Sequence, residues 1–277
     1  MSQLPSFAIN HMVAPRNTFA ELVALTRALG LEALEIRNDL EGVPIADGTD
    51  PARIRDEAQA GGVRILSINA LQRFNDWSDA RAEEAAALAG YARDCGAEAL
   101  VLCPVNDVSY RLSETERPAH LRQALRGLAP ILAEAGIVGL VEPLGFAGSS
   151  LRLKAEAIAA IDELGQGERF RLVHDTFHHH LAGETRMFPE RTGLVHISGV
   201  EDRALPLSRI RDEHRVLVGP EDILGNLAQI RALLAAGYSG PYSFEPFAAS
   251  VQANRDIAGA LQGSMRYITG ELARAAA

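Results

Sequence analysis

Short apolar runs recur along the chain, and stretches with helical spacing separate them. Eight runs rich in β-branched residues predict strands at positions 7–13, 33–37, 63–71, 99–105, 137–144, 170–177, 193–199 and 241–247. Helical spacing of apolar residues is clearest at 19–29, 51–60, 80–95, 116–135, 154–164, 221–236 and 253–272, and weaker at 181–191. The pattern predicts strands and helices in regular alternation.

Several predicted helices end on a glycine shortly before the next strand. Glycine readily adopts the left-handed turn that stops a helix, and it occupies such positions at Gly30, Gly61 and Gly62, Gly96, Gly136 and Gly237. No Pro/Ser-rich linker interrupts this alternation. We therefore predict one domain over residues 1–277, an α/β fold forming a single (β/α)8 TIM barrel. The alternative, an open doubly wound sheet, normally has a glycine-rich phosphate turn after its first strand, and residues 10–15 (NHMVAP) are no such turn.

Composition narrows the classes of function. The chain is 47% hydrophobic and 23% charged, which is typical of a globular protein with a large aliphatic core. Its net charge of −9 would repel a phosphate backbone, so we expect no nucleic-acid partner. No basic leader and no apolar run near the roughly 18 residues of a membrane span is evident, so we expect a cytoplasmic protein without a membrane partner. Cys95 and Cys103 lack metal or redox spacing and are predicted to be buried free thiols.

Four polar residues stand where predicted strands five to eight end. They are Glu142, Asp175, His196 and Glu245, and each follows a run of apolar residues. In a parallel barrel the carboxyl ends of the strands meet at one rim, which carries the catalytic groups. Any one of these residues alone could be a loop ligand or a helix cap, but four on consecutive strands favour a common site.

Three carboxylates in one pocket would repel one another unless a cation neutralised them. One imidazole with three carboxylates suits a divalent metal ion with positions left open for substrate. We therefore predict one divalent ion as cofactor, with Mn²⁺ first and Mg²⁺, Co²⁺ or Zn²⁺ as alternatives.

Other polar residues near strand ends are candidate substrate contacts. His178, three residues after Asp175, is favoured for that role, whereas His179 and His180 are expected to start a helix or to pack. His11, Arg37, Asn38 and Asn69 could bind hydroxyl groups or satisfy loop backbone, and Arg37 and Asn69 rank highest among them.

Six segments resemble the xylose-isomerase-like barrel superfamily and, within it, the inosose (2-keto-myo-inositol) isomerases of inositol catabolism. They cover 34–39 (LEIRND), 100–107 (LVLCPVND), 140–146 (LVEPLGF), 175–180 (DTFHHH), 195–199 (VHISG) and 244–247 (FEPF). The resemblance extends over nearly the whole chain. It is more specific for a sugar isomerase or epimerase branch than for one substrate.

The resemblance implies roles for individual residues. It implies that Glu142, Asp175, His196 and Glu245 bind the metal, the same four that the strand ends indicate. Related ketose epimerases imply Glu142 and Glu245 as an acid/base pair and His178 as a substrate contact. They also place an arginine shortly beyond the histidine ligand. Arg203 is the nearest candidate here, although its spacing is unusual, and residues 218–222 (VGPED) replace the Gly-x-Gly turn common before the last helix.

These inferences lead to the hypothesis of a metal-dependent isomerase acting on a small polyhydroxy ketone in carbohydrate metabolism. The metal would stabilise an enediolate while Glu142 or Glu245 moves the proton between neighbouring carbons. The alternatives are a ketose 3-epimerase, an inosose or dehydroshikimate dehydratase and a non-catalytic metal-binding barrel. An endonuclease of the same fold is disfavoured by the acidic charge. A small polyol or ketose is the expected partner, with homo-oligomerisation left open.

Overall fold

Eight parallel strands close into a barrel in sequence order, so the first strand pairs with both the second and the eighth. The computed structural model describes residues 4–40, 49–110, 112–113 and 115–275. The strands are β1 Ser6–Asn10, β2 Ala33–Arg37, β3 Arg64–Gln72, β4 Ala99–Cys103, β5 Val138–Val141, β6 Phe170–Asp175, β7 Thr192–Ile197 and β8 Pro241–Phe244. The predicted single (β/α)8 barrel is confirmed.

Helices follow the strands and surround the barrel. They are α1 Phe19–Ala28, α2 Pro51–Gly61, α3 Asp79–Cys95, α4 Glu116–Ala135, α5 Lys154–Glu163, α6 Thr176–Ala182, α7 Asn226–Ala235, α8 Ala249–Gln252 and α9 Ile257–Arg274. Gly96 and Gly136 end α3 and α4 with positive φ angles of 80° and 71°, as the glycine pattern predicts. Within the described ranges, no helix is long and apolar enough to cross a membrane.

Side chains alternate between the inside of the barrel and the helix layer. One apolar cluster, which includes Ala8, Val101, Leu140, Val173 and Leu194, packs inside the barrel. The residues between them in each strand belong to the larger core between sheet and helices. Every second residue of a strand points to the same side of the sheet. A polar residue two positions after an inward-pointing apolar residue, at the end of the strand, therefore points inward as well.

Three predicted helices differ from the structure. The helix expected at 181–191 lies earlier, as α6, because the Asp175 side chain accepts hydrogen bonds from the backbone N–H groups of Phe177 and His178 and starts it there. Helix α7 begins at 226 rather than 221. The Asp222 side chain accepts hydrogen bonds from the backbone N–H groups of Leu224 and Asn226 and so holds the residues before the helix in a turn. The last predicted helix begins at 257 rather than 253, because Asp256 caps it there as α9, and the short helix α8 precedes it.

Close contact between the loop after β5 and α6 depends on Gly145. A Cβ atom at this position would lie 2.2 Å from the His178 carbonyl oxygen and 2.7 Å from the Leu181 Cβ atom. Backbone atoms cannot yield as the end of a flexible side chain can. The absent side chain at Gly145 therefore lets Glu142 and His178 share one rim.

We expect Gly145→Ala to lower the free energy of unfolding by about 1–3 kcal/mol through overpacking. The matched control is Gly90→Ala in the middle of α3, where an added Cβ atom meets nothing within 4 Å. Alanine there should stabilise the helix by about 0.5–1 kcal/mol. Urea unfolding of both variants measures the difference, and equal effects would contradict the proposed contact.

Candidate metal centre

The four residues predicted at the strand ends converge at one place. One ligand atom from each of Glu142, Asp175, His196 and Glu245 lies within 4.8 Å of every other, and all four residues are buried. Asp175 and His196 lie in β6 and β7, while Glu142 and Glu245 directly follow β5 and β8. Each of the four lies two positions after a residue that points into the barrel, and its side chain points inward too. Leu194 and His196 in β7 are an example.

Two arginines compensate the buried negative charge. Arg215 Nη2 lies 2.6 Å from Asp175 Oδ2 and 2.9 Å from Glu245 Oε2. Arg37 Nη1 lies 2.8 Å from the other Glu245 oxygen, Oε1. Because both guanidinium groups are themselves buried, these ion pairs are weakly screened by water. Glu245 is thus held from both sides.

The surroundings push the pKa values of two carboxyls apart. Burial opposes ionisation of Asp175, but the charges of Arg215, His178 and His196 outweigh it and bring the Asp175 pKa to about 2. Burial, reinforced by the charge of Glu142, raises the pKa of Glu245 to about 7 despite His196 and the arginines. The two groups therefore differ in how readily they take a proton.

Glu35 orients His196. The His196 Nε2 atom lies 3.1 Å from Glu35 Oε2, and Nδ1 lies 3.1 Å from Glu142 Oε1 and 3.3 Å from Glu245 Oε2. Ser67 donates a second hydrogen bond to Glu35. Burial would raise the pKa of Glu35, yet the charge and hydrogen bond of His196 bring it to about 2. An ionised Glu35 accepting from Nε2–H leaves Nδ1 directed at the cluster.

Sequence reasoning missed the role of Glu35, although a signal was present. Glu35 is an acid in the middle of a buried strand, at the same inward parity as Ala33 and Arg37. A fully buried carboxylate at such a position needs a partner, and His196 supplies it.

The residues present fit a divalent cation. Three carboxylates and an imidazole nitrogen converge, and the neighbouring carboxylates raise the pKa of His196 well above its ordinary value against the effect of burial. The site thus favours positive charge at its centre, which in the metal-free protein an imidazolium provides. A metal ion would take over that role and displace the proton.

A cavity of about 430 Å³ reaches the cluster, and two of the four residues, Glu142 and Glu245, line it. Arg37, Asn69 and His178, three of the predicted substrate contacts, line it, and the amide of Asn69 lies 3.5 Å from Glu245 Oε1. His178 is buried, and its Nδ1 atom has no hydrogen-bond partner among the described residues. A substrate hydroxyl would satisfy this nitrogen.

Two predicted substrate contacts lie outside the cavity. His11 is fully buried and does not line the cavity, and its Nε2 atom is 2.9 Å from the Asn17 carbonyl oxygen. The side chain of Arg203 is 69% exposed and pairs with Glu221. The arginine that reaches the cluster is Arg215, which lies in an irregular loop and has no local sequence signal.

Comparison with known proteins shows the family of the chain. The family model for the xylose isomerase-like TIM barrel matches residues 23–268. The chain belongs to this family. No curated protein matches the sequence.

Several solved structures share the fold. A xylose isomerase domain-containing protein from Salmonella typhimurium LT2 is 32% identical, with a TM-score of 0.88 over 99% of both chains. The IolI protein with a bound zinc atom is 20% identical, with a TM-score of 0.81 over 96% of this chain and 97% of the other. A D-allulose 3-epimerase from a Methylomonas species is 18% identical, with a TM-score of 0.70 over 99% and 98%. The last two likenesses show the fold alone.

The only lysine of the chain lies behind Asp175. Lys154 Nζ is 3.0 Å from His174 Nδ1 and 2.7 Å from His179 Nδ1, with Glu184 at 3.8 Å. Burial lowers the pKa of both histidines, so their neutral rings can accept from the amine. His174 and His179 bracket the segment 175–178, and Lys154 therefore ties together the two ends of the segment that carries Asp175 and His178.

Burial lowers the pKa of Lys154 to about 8, although Glu184 and Asp175 act to raise it. Because the chain has one lysine, selective ¹³C-lysine labelling gives one side-chain resonance in NMR. We expect that resonance to titrate near pH 8. Since the folded pKa lies below that of a free lysine, this group should make stability rise with pH from about 8 to 10.4. A midpoint near 10.4 would show that the amine is exposed to water.

Proposed function

We propose that the protein is a metal-dependent isomerase of a small polyhydroxy ketone, with 2-keto-myo-inositol (inosose) as the first substrate to test. The convergence of Glu142, Asp175, His196 and Glu245 supports this proposal, and so does the cavity that Glu142 and Glu245 line. Membership of the xylose isomerase-like family agrees with it. Mn²⁺ is the first ion to test, followed by Zn²⁺, Mg²⁺ and Co²⁺.

A divalent cation held by the four residues would polarise the ketone and the adjacent hydroxyl and so acidify the C–H bond between them. Glu142 and Glu245 are the groups that would move the proton. Glu245 is held by Arg37 and Arg215, which fix its position, and a nearby cation would favour its ionised form, the form that accepts a proton. His178 and Asn69 would orient the hydroxyl groups.

The charges around the cavity favour an uncharged substrate. Among the described residues, every arginine lining it is ion-paired with an acid: Arg37 with Asp39, Arg73 with Asp76 and Arg215 with Asp212. A substrate carboxylate or phosphate would have to displace one of these acids. This observation supports an inosose or ketose over dehydroshikimate, which bears a carboxylate.

The decisive test is incubation of the Mn²⁺-loaded protein with inososes and ketoses in D₂O, followed by NMR. We expect solvent deuterium in the product and a carbonyl shifted by one carbon, because the proton passes through Glu142 or Glu245. Inversion at a single carbon would identify an epimerase, and an enone absorbing in the ultraviolet would identify a dehydratase. Product without any deuterium would support a direct hydride shift.

Glu245→Gln should abolish turnover and leave the barrel folded, because glutamine keeps the shape of the side chain and cannot take the proton. Circular dichroism checks the fold, and turnover is measured by the same NMR assay. Normal activity in this variant would rule out the proposed role of Glu245.

Arg215→Met should destabilise the metal-free protein by about 3–5 kcal/mol, because it leaves Asp175 and Glu245 buried with less compensation. Arg203→Met is the matched control, and its exposed ion pair should change stability by less than about 0.5 kcal/mol. Urea unfolding with and without Mn²⁺ measures both variants. We expect the metal to recover part of the loss at Arg215 only, and equal losses in the two variants would refute the assignment.

A further inference from the structure

A second cavity adjoins the one above the cluster. This side groove, bordered by residues 106–108, 145–148 and 207–212, has a volume of about 620 Å³. Asn106, Phe146 and Asp212 line both cavities, so the groove continues the proposed active-site cavity towards solvent. A cavity of about 430 Å³ alone is already large enough for a small ligand. The groove therefore offers room for a further part of the substrate.

The groove has an apolar rim. Val108 is 79% exposed and Leu207 is 50% exposed, and they are two of the three large hydrophobic residues that are exposed among the described residues. The third, Leu4, precedes β1 and so lies at the opposite end of the barrel. Phe146 and Ile210 continue the apolar surface within the groove. Apolar exposure on the described surface is thus concentrated beside the proposed active site.

The arginines of the groove differ from those of the adjoining cavity. The Arg152 guanidinium donates to the carbonyl oxygens of Gly145 and Leu181. The Arg211 guanidinium donates to the carbonyl oxygens of Ser208 and Ile210. Within the described part of the chain, neither is ion-paired with an acid, so no described carboxylate neutralises its charge locally. Hydrogen bonds to the backbone hold these charges in place.

We propose that the side groove binds an aromatic substituent of the substrate, so that the natural substrate is a keto-sugar or keto-cyclitol linked to an aryl group. The proposal rests on the isomerase function. An aromatic ring would contact Val108 and Leu207 and present its electron-rich face to a guanidinium. An aliphatic chain would make no favourable interaction with the two arginine charges, and a phosphate would make none with the apolar side chains of the rim.

The test compares phenyl β-D-glucoside with methyl β-D-glucoside, which differ only in the substituent. Binding of each to the Mn²⁺-loaded protein is measured by calorimetry, so the result does not depend on turnover. We expect the phenyl glucoside to bind at least tenfold more tightly. The variants Val108→Asp and Leu207→Asp should reduce this ratio towards one, because they place a charge on the apolar rim. Leu4→Asp, the matched control, should leave the ratio unchanged.

Equal affinity for the two glucosides, or no binding of either, overturns the proposal, as does tighter binding of glucose 6-phosphate than of the phenyl glucoside. Analytical ultracentrifugation tests the other occupant, a second copy of this chain. A dimer that Val108→Asp and Leu207→Asp dissociate would show that the rim is an interface, which also overturns it. If ketoses take up solvent deuterium but the two glucosides bind equally, only the groove proposal is rejected. If the phenyl glucoside binds more tightly but no ketose takes up deuterium, only the isomerase function is rejected.

Discussion

Four carboxylates, Glu35, Glu142, Asp175 and Glu245, are buried at the carboxyl end of the barrel, and this concentration of negative charge constrains everything around it. Ionised carboxylates in a dry site are tolerated only if cations and donors surround them. Arg37 and Arg215 meet this requirement from two sides of Glu245, and the His196 ring lies between Glu35 and the other acids. The preference for a divalent cation follows from the same charge balance.

The parallel barrel makes this arrangement possible. Side chains alternate along each strand, and all eight strands end at one rim, so one inward residue per strand is enough to assemble the cluster. The layers of alanine, valine and leucine below the rim exclude water and lower the local dielectric. The same burial that strengthens each ion pair makes an unpaired charge costly.

Charge is distributed differently in the two cavities. In the cavity above the cluster, acids neutralise every described arginine, which suits neutral hydroxyl and carbonyl groups. In the side groove, Arg152 and Arg211 bind only backbone carbonyls and lie near exposed apolar residues. The surface at this end of the barrel is therefore polar beside the cluster, and apolar with positive charge in the side groove. A substrate that spans both would carry the same two kinds of group.

By itself the sequence determined the barrel and the four residues that converge, because both are recorded locally. Apolar β-branched runs, glycine helix ends and an acid or histidine after each of the last four runs can be recognised within a few residues. Tertiary structure alone decided that Arg215 and not Arg203 reaches Asp175, and that Glu35 holds His196 across 161 residues of chain. It also decided that His11 is buried and does not line the cavity. It also decided the start of α6 and the burial of Lys154. These contacts join distant segments, and their energy depends on burial and mutual orientation, which no local pattern of residues records.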